Sequence, residues 1–523
     1  MCGIFAYLNN ECIDNWVSEC HERANKLKPR GPEKYKYILP TPNVFMGFQR
    51  LSIVDVMNGD QPFIDSSNSV VVICNGEIYN STFLTKEYKL NVKSKSDCEV
   101  ILHMYLKFGI RKTIESLDGD FAFIIYDKNR NEIICGRDPF GVRPLFLSIG
   151  KSIVISSELK ALYGLKNVKV FPIGSYWSSL SDNYTVYNYN GVPANGSSVP
   201  FCSMPFDVIK ETIKNKLEAS VQKRLQSDRK IGCLLSGGLD SSLITALVHK
   251  HSNIVTYSVG LEGSVDLEYA RKVASFLGTE HHEIIFTEEI GLQAISNVIY
   301  AIESWDTTTV RASVPMWLMC KYISENTPEV KVIMSGEGAD EVCQGYLYFH
   351  NQPNPEEGHK ESVRLLQDLL YFDVLRSDRS ISTHGLEVRV PFLDKDFVHF
   401  YLSIPPEYRC PNKCEKWLLR ESFKDNVLPD EILWRKKDGL SDGCSSFSRP
   451  WYQVIQEKAE KEVTDEELEK AGEKYSHCTP RTKESLLFRN IFNKHFPDRD
   501  TLIPYEWLPK WSGDMINPSG RLL

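Results

Sequence analysis

From about residue 40 to residue 160 the apolar positions come in short runs, Val70-Val71-Val72-Ile73-Cys74, Phe121-Ala122-Phe123-Ile124-Ile125-Tyr126, Ile133-Ile134-Cys135 and Ile153-Val154-Ile155, separated by Asn, Asp, Gly and Lys. Runs this short, bounded by turn formers, predict strands, and brief connections make neighbours pair antiparallel. One interruption, Asp97 to Phe108, has helical spacing, with Val100, Ile101, Met104 and Tyr105 on one face. The first part of the chain is therefore predicted to be α+β.

Small and polar residues take over from about Ser178 to Pro205, centred on Gly191-Val192-Pro193-Ala194-Asn195-Gly196-Ser197-Ser198, which places a linker there. Beyond it an amphipathic helix, Phe206 to Leu225, precedes strands at Ile231–Leu235, Ile254–Val259 and Glu283–Phe286, interleaved with helices at Ser241–His249 and Asp266–Leu277. Such alternation predicts a parallel sheet with helices on both faces, and the apolar run Val330–Met334 belongs to the same sheet. Ligands of open parallel sheets bind beyond the carboxyl ends of the strands. The segments Ser236–Ser242 and Ser335–Glu341 fall there. From about Tyr346 onward the pattern is mostly helical, and Glu457–Glu473 is expected to form one charged, solvated helix. The expected domains are 2–187 and 206–523.

Composition narrows the function without naming it. With 42% hydrophobic and 25% charged residues over 523 positions, the chain can bury sizeable cores and resembles neither a disordered nor a fibrous protein. A net charge of -8, with no basic cluster interleaved with aromatics, argues against nucleic acid as a partner and leaves small molecules. The fourteen cysteines lack the dense framework of a secreted disulfide scaffold, and Cys410 and Cys414 have no second pair at zinc spacing. There is no apolar leader and no run of ~20 apolar residues, so a cytoplasmic protein is expected.

Two segments carry chemistry. Cys2 follows the initiator methionine directly. Were Met1 removed, thiol and free α-amine would share one residue, and an amine of pKa ~8 can act as general base beside a thiol of pKa ~8.5 without a histidine. The second is Ser236-Gly237-Gly238-Leu239-Asp240-Ser241-Ser242, which follows a predicted strand and opens a predicted helix, so its N–H groups and hydroxyls can converge on an anion. No Lys-Ser or Lys-Thr follows the glycines, so it is not a Walker loop.

The start Met1-Cys2-Gly3-Ile4, then Arg30-Gly31-Pro32, Gly47–Asp55, Asn75–Asn80, Leu117-Asp118-Gly119 and Arg137–Leu145 occur in an order that resembles the glutaminase domain of class II glutamine amidotransferases. The resemblance implies a four-layer N-terminal-nucleophile sandwich in which Cys2 attacks the glutamine amide, and Asn75 and Gly76 form the oxyanion hole. It implies that Arg50 takes the α-carboxylate, helped by Leu51, Ser52, Ile53 and Val54, while Glu77 and Asp97 meet the α-ammonium. Pro29, Glu33 and Gln49 depart from that family's usual His, Asp, and His or Arg.

The Ser236–Ser242 loop resembles the PP-loop of ATP pyrophosphatases. With Ile231–Leu235, Ser335–Glu341, His384–Asp394 and Pro509-Lys510-Trp511 it makes the whole chain similar to the glutamine-hydrolysing asparagine synthetases. That resemblance implies an ATP site of Leu235, Ser236, Gly237, Gly238, Asp240, Ser241, Ser242, Val259, Ser335 and Gly336, with Mg²⁺ on Asp240 and Asp340. Glu337 and Lys437 are implied in catalysis. Arg389 is left between a substrate-binding role and a buried structural one. The expected activity is ATP-dependent amidation of aspartate through β-aspartyl-AMP, with glutamine as nitrogen source, and a homodimer is possible. The alternatives are another acceptor, as in β-lactam synthetases, or a non-catalytic metabolite sensor.

Overall fold

The computed structural model describes residues 1–9, 15–181, 183–187, 201–425 and 427–522. The centre of the expected linker, 191–198, lies outside them. The chain divides into two compact units: Met1–Asn190 with Gln226–Arg229 and Ser382–Glu387, and Gly191–Leu225 with Lys230–Ile381 and Val388–Leu523.

The first unit carries two six-stranded sheets. One has the order β10-β8-β9-β1-β3-β2 and the other β12-β11-β7-β6-β5-β4, where β1 is Gly3–Asn9, β2 Lys34–Thr41, β3 Val44–Arg50, β4 Phe63–Ile64, β5 Val70–Ile78, β6 Gly119–Asp127, β7 Glu132–Arg137, β8 Phe146–Ile149, β9 Ser152–Ser156, β10 Val168–Val170, β11 Ser175–Ser178 and β12 Thr185–Val186. The pairs β1·β3, β1·β9, β5·β6 and β6·β7 are all antiparallel. Successive strand residues face opposite sides. Ile4, Ala6 and Leu8 of β1, Val71 and Ile73 of β5, and Ala122, Ile124 and Tyr126 of β6 share one core, whereas Val70, Val72, Phe121 and Phe123 pack with the helix Val100–Ser116 in a second. The unbroken apolar runs thus arise because these central strands are covered on both faces.

The second unit is built on a five-stranded sheet of order β15-β14-β13-β16-β17, with β13 Lys230–Leu234, β14 Val255–Gly260, β15 Glu280–Ile285, β16 Val330–Met334 and β17 Glu387–Arg389. The pairs β13·β14, β14·β15 and β13·β16 are parallel. The chain steps outward from β13 to β15 and then returns to the other side of β13 with β16. Right-handed crossovers therefore put Leu239–His249 and Val265–Leu277 on one face, and Glu288–Ile302 and Thr307–Asn326 on the other. The reversal makes the carboxyl ends of β13 and β16 the switch point where ligands bind.

The single charged helix expected over Glu457–Glu473 is broken. Trp451–Glu462 ends before Thr464, whose backbone is extended (φ -82°, ψ 160°), and Thr464 starts a new short helix, Asp465–Glu469, with a reciprocal capping box to Glu467. Charge density alone gave no sign of that restart; the Thr-x-x-Glu spacing is its signal.

Candidate active sites

Strand alternation builds the thiol site. Cys2, two residues before Ile4, packs against the inter-sheet core, and Asn75 follows Val71 and Ile73 on the face of β5 turned to that core. Asn75 is fully buried, and neither Nδ2 nor Oδ1 has a hydrogen-bond partner among the described residues. Leaving such a group unpaired costs about 1–3 kcal/mol. An oxyanion accepting from Nδ2 would remove that cost. At Gly76 a Cβ would lie 2.2 Å from Asp120 O and 2.6 Å from Phe121 Cα. Both are backbone atoms of β6, so any side chain there forces the strands that carry Asn75 apart.

Cys2 Sγ donates to Leu51 O at 3.6 Å, and the buried Arg30 fixes the Cys2 carbonyl through Nε at 2.8 Å while pairing with Glu158 at 2.8 Å. Burial pushes the Cys2 thiol up to about 11, so it needs a base to react at neutral pH. The α-amino group of the structure belongs to Met1; it donates to Leu386 O at 2.9 Å, and burial pushes it down to about 5. The base expected on Cys2 itself thus stands one residue earlier here, and Cys2 N is a peptide nitrogen. Removal of Met1 transfers the amine to the residue that carries the thiol.

Arg50 is buried, and its four terminal N–H groups already meet acceptors: Nη1 reaches Asp60 at 2.7 Å and Val56 O at 3.1 Å, and Nη2 reaches Asp55 O at 2.7 Å and Val54 O at 3.4 Å. Burial opposes the Asp60 charge, but Lys34, Lys36 and Arg50 outweigh it and bring the carboxyl down to about 2. A ligand carboxylate therefore gains the full fork of Arg50 only by displacing Asp60. The Leu51–Val54 segment is held by its backbone: Ser52 N donates to Glu33 at 2.8 Å, Ser52 O accepts from Arg229 Nε at 2.9 Å, and Ile53 O accepts from Asp228 N at 3.0 Å. Glu33 thus serves as a loop anchor. Gln49 turns away to Ala24 O at 3.3 Å. Glu77 and Asp97 are both buried, and Asp97 accepts from Ile78 N at 2.5 Å.

In the second unit a cavity of about 210 Å³ opens beyond the ends of β13, β14 and β16. Leu235, Ser236, Gly238, Asp240, Ser241, Val259, Ser335 and Gly336 of the expected ATP set line it. Ser241 Oγ accepts from Ser236 N at 3.1 Å and contacts Ser236 Oγ at 3.0 Å, which curls the loop over the N-terminus of the helix Leu239–His249. Gly237 and Ser242 lie outside the lining: Gly237 makes the turn against Tyr269 and Ala270, and Ser242 is wholly buried with its N–H given to Gly238 O at 3.1 Å. Arg389 is fully buried and donates to Arg224 O at 2.6 Å.

Four charges meet at the mouth of the loop. Lys437 Nζ lies 2.5 Å from Asp340 Oδ2 and 3.7 Å from Asp240 Oδ2, and Lys416 Nζ lies 2.5 Å from Asp240 Oδ2 and 2.6 Å from Asp340 Oδ1. Burial opposes both charges, yet the two lysines hold Asp340 well below the carboxylate range, and the two aspartates hold Lys437 well above the lysine range. Lys416 fits because residue 345 is glycine, where a Cβ would lie 2.0 Å from Lys416 Cε. Asp240 Oδ1 is buried with no hydrogen-bond partner among the described residues. An orphaned carboxylate oxygen beside a second carboxylate suits Mg²⁺, which takes one or two carboxylates and completes its shell from phosphates and water.

Deeper in the cavity Arg376 bridges Glu337 at 2.8 Å and Asp373 at 2.6 Å, and Tyr346 donates to Glu341 at 2.6 Å. Burial raises Glu337 to about 7 despite Arg376. Arg435 clamps the loop from outside, donating to Ser236 O at 3.1 Å and pairing with Asp266 at 2.7 Å. Lys416, Arg376, Asp373 and Arg435 carry no local motif; only the fold gathers them.

Comparison with known proteins finds a match over each unit. Residues 1–188 match the glutamine amidotransferase domain, and residues 212–358 and 351–517 match asparagine synthase. The chain thus joins an amidotransferase to an ATP-using synthase. It belongs to the family of glutamine-hydrolysing asparagine synthetases, for its whole length aligns with the chicken enzyme of that name (Gallus gallus) at 43% identity over 98% of that protein. The mouse and human enzymes (Mus musculus, Homo sapiens) each match at 42% over the same shares. Among solved structures, glutamine phosphoribosylpyrophosphate amidotransferase from B. subtilis aligns at 18% identity over 54% of this chain and 65% of that one, with a TM-score of 0.31.

Proposed function

We propose that the protein makes asparagine from aspartate, using ATP and the amide nitrogen of glutamine, through β-aspartyl-AMP, and releases glutamate, AMP and pyrophosphate. The observation that carries the reading is the pairing, in one unit, of a thiol packed against the core that the face of β5 carrying the orphaned Asn75 amide also meets with, in the other, a cavity lined by Lys416, Lys437, Asp240 and Asp340. In the first, the Cys2 thiol adds to the glutamine amide carbon, passing its proton to the α-amine freed by loss of Met1. Asn75 Nδ2 and Gly76 N–H stabilise the oxyanion; ammonia leaves, and water then releases glutamate.

In the second, the Ser236–Ser241 loop and the two lysines receive the phosphates, and Leu235 and Val259 flank the base. The aspartate β-carboxylate attacks the α-phosphorus, pyrophosphate departs, and ammonia then displaces AMP. Asp240 and Asp340 would hold Mg²⁺, which supplies charge neutralisation on the phosphates when bound. Glu337, raised to about 7 by burial, takes a proton from the attacking ammonia in this reading. Aspartate-dependent exchange of labelled pyrophosphate into ATP tests the reading. Exchange without aspartate, or ADP formed in step with asparagine, would contradict it.

The same reading places the protein in the cytoplasm, supported by thirteen free cysteines among the described residues, and leaves a homodimer open. No described helix is long and apolar enough to cross a membrane. Replacing Lys416 with methionine should lower synthesis with either nitrogen donor on the order of 10²-fold, since one of two cations meeting the phosphates is lost. Glutaminase activity, measured as glutamate release, should stay within about twofold of the parent, because Cys2 and Asn75 lie in the other unit.

A further inference from the structure

One wall of the cavity comes from the stretch Asn517–Leu522. Pro518 and Gly520 line the cavity, and Ser519 is buried behind them. Ser519 Oγ donates to Asp442 Oδ1 at 2.8 Å, and Gly520 N donates to Asp442 Oδ2 at 2.9 Å. Arg521 Nη2 reaches Asp438 Oδ2 at 3.0 Å and Ser445 O at 3.1 Å, Nη1 reaches Ser446 O at 3.0 Å, and the guanidinium lies 4.3 Å from the centre of the Phe447 ring. Every one of these partners belongs to the segment 438–447, which starts at the residue after Lys437.

That segment has little regular structure of its own, only the four-residue turn Leu440–Gly443. Its position must therefore be set from outside. This C-terminal strap has a firm anchor: Asn517 Oδ1 accepts from Arg311 Nη1 at 2.8 Å, and Arg311, on the helix Thr307–Asn326, is itself held through Nε and Nη2 by Glu484 at 2.7 and 2.5 Å. A planar fork touching three separate points fixes a loop as a rigid piece, which a single point charge does not.

We propose that Arg521 is a positioning residue for ATP capture: through Asp438, Ser445 and Ser446 it sets the segment that presents Lys437 to the phosphates. The proposal rests on the reading of this cavity as the nucleotide site. Displacing a phosphate-binding group by a fraction of an ångström weakens capture steeply, while the amidotransferase unit is untouched.

The test uses the full chain with Arg521→Ala, Arg521→Lys, Asp438→Asn, the Arg521→Ala/Asp438→Asn double variant and, as a control on the site, Lys437→Ala. Ammonia-dependent synthesis is measured against ATP concentration, alongside glutaminase activity and the thermal midpoint. Arg521→Ala should raise KM for ATP about tenfold with kcat changed less than about threefold. Arg521→Lys, which restores the charge near Asp438 but not the two carbonyl contacts, should fall between it and the parent. The double variant should be no worse than the poorer single one. An unchanged KM for ATP in Arg521→Ala, a parallel loss of glutaminase activity and thermal midpoint, or additive effects in the double variant would each overturn the proposal. If Lys437→Ala also leaves KM for ATP unchanged, the reading of the cavity fails with it; if Lys437→Ala weakens ATP and Arg521→Ala does not, only the strap proposal falls.

Discussion

Changing Cys2 to alanine is expected to reduce glutamine-dependent asparagine formation by a factor on the order of 10⁴ or more, while ammonia-dependent formation stays within about twofold of the parent. The size follows from the proposed role of Cys2 as the nucleophile, whose thiol packs against the core that the β5 face carrying Asn75 also meets. Cys74 and Cys135 are fully buried and Cys98 nearly so, and burial pushes the Cys135 thiol well above its ordinary range. The independence follows from the placement of Cys2 and the Lys416–Lys437 cluster in different compact units. Parallel assays with glutamine and with ammonium chloride read both numbers from one preparation. A variant that lost both activities equally would show that the thiol supports the fold, since serving as the nitrogen source cannot matter when ammonia is supplied.

Asp240→Asn should lower synthesis with either nitrogen donor by roughly 10²–10³-fold and leave glutamate release from glutamine near the parent rate. Asp240 has a buried oxygen with no hydrogen-bond partner among the described residues, and it is also an ion-pair partner of Lys416 at 2.5 Å. The amide keeps the shape but removes the charge that a divalent cation needs, and it leaves two lysines facing a single carboxylate. Breaking a buried pair from one side costs more than the pair itself contributes, so a modest fall in thermal midpoint should accompany the kinetic loss. Restoring the rate by raising Mg²⁺ concentration alone would point to weakened metal binding. Full activity at ordinary Mg²⁺ would remove Asp240 from the site.

The strands were readable because their sequence is redundant: a run such as Val70–Cys74, short and bounded by turn formers, satisfies two cores at once. The strand-to-helix loop Ser236–Ser242 was readable for a different reason, since its serines and glycines lie within seven positions and its geometry is local. Even there the reading blurred at its ends. Ser242 looks like part of the loop in sequence but is already one turn into the helix, with its hydroxyl turned into the protein. Lys416 shows the opposite limit. It meets Asp240 across 176 positions, and its access depends on Gly345, so no spacing in the sequence links the three. The break near Thr464 is not legible in charge density, which reads the same for one long solvated helix as for several shorter ones; only the capping pattern marks it.

In the proposed reading of the cavity, the pairing of Lys416 and Lys437 with Asp240 and Asp340 also bears on how the nucleotide arrives. An uncompensated pair of lysines would project a positive field into solvent and draw ATP in from a distance, at a rate that falls steeply as salt is added. Here each ammonium already faces a carboxylate, two positive against two negative charges, so the quartet is nearly neutral beyond a few ångströms. Attraction is felt only once the phosphates are close enough to exchange partners with the aspartates. The association rate for ATP should therefore depend only weakly on ionic strength, and the cavity should discriminate among polyanions by fit at contact, with little long-range electrostatic steering.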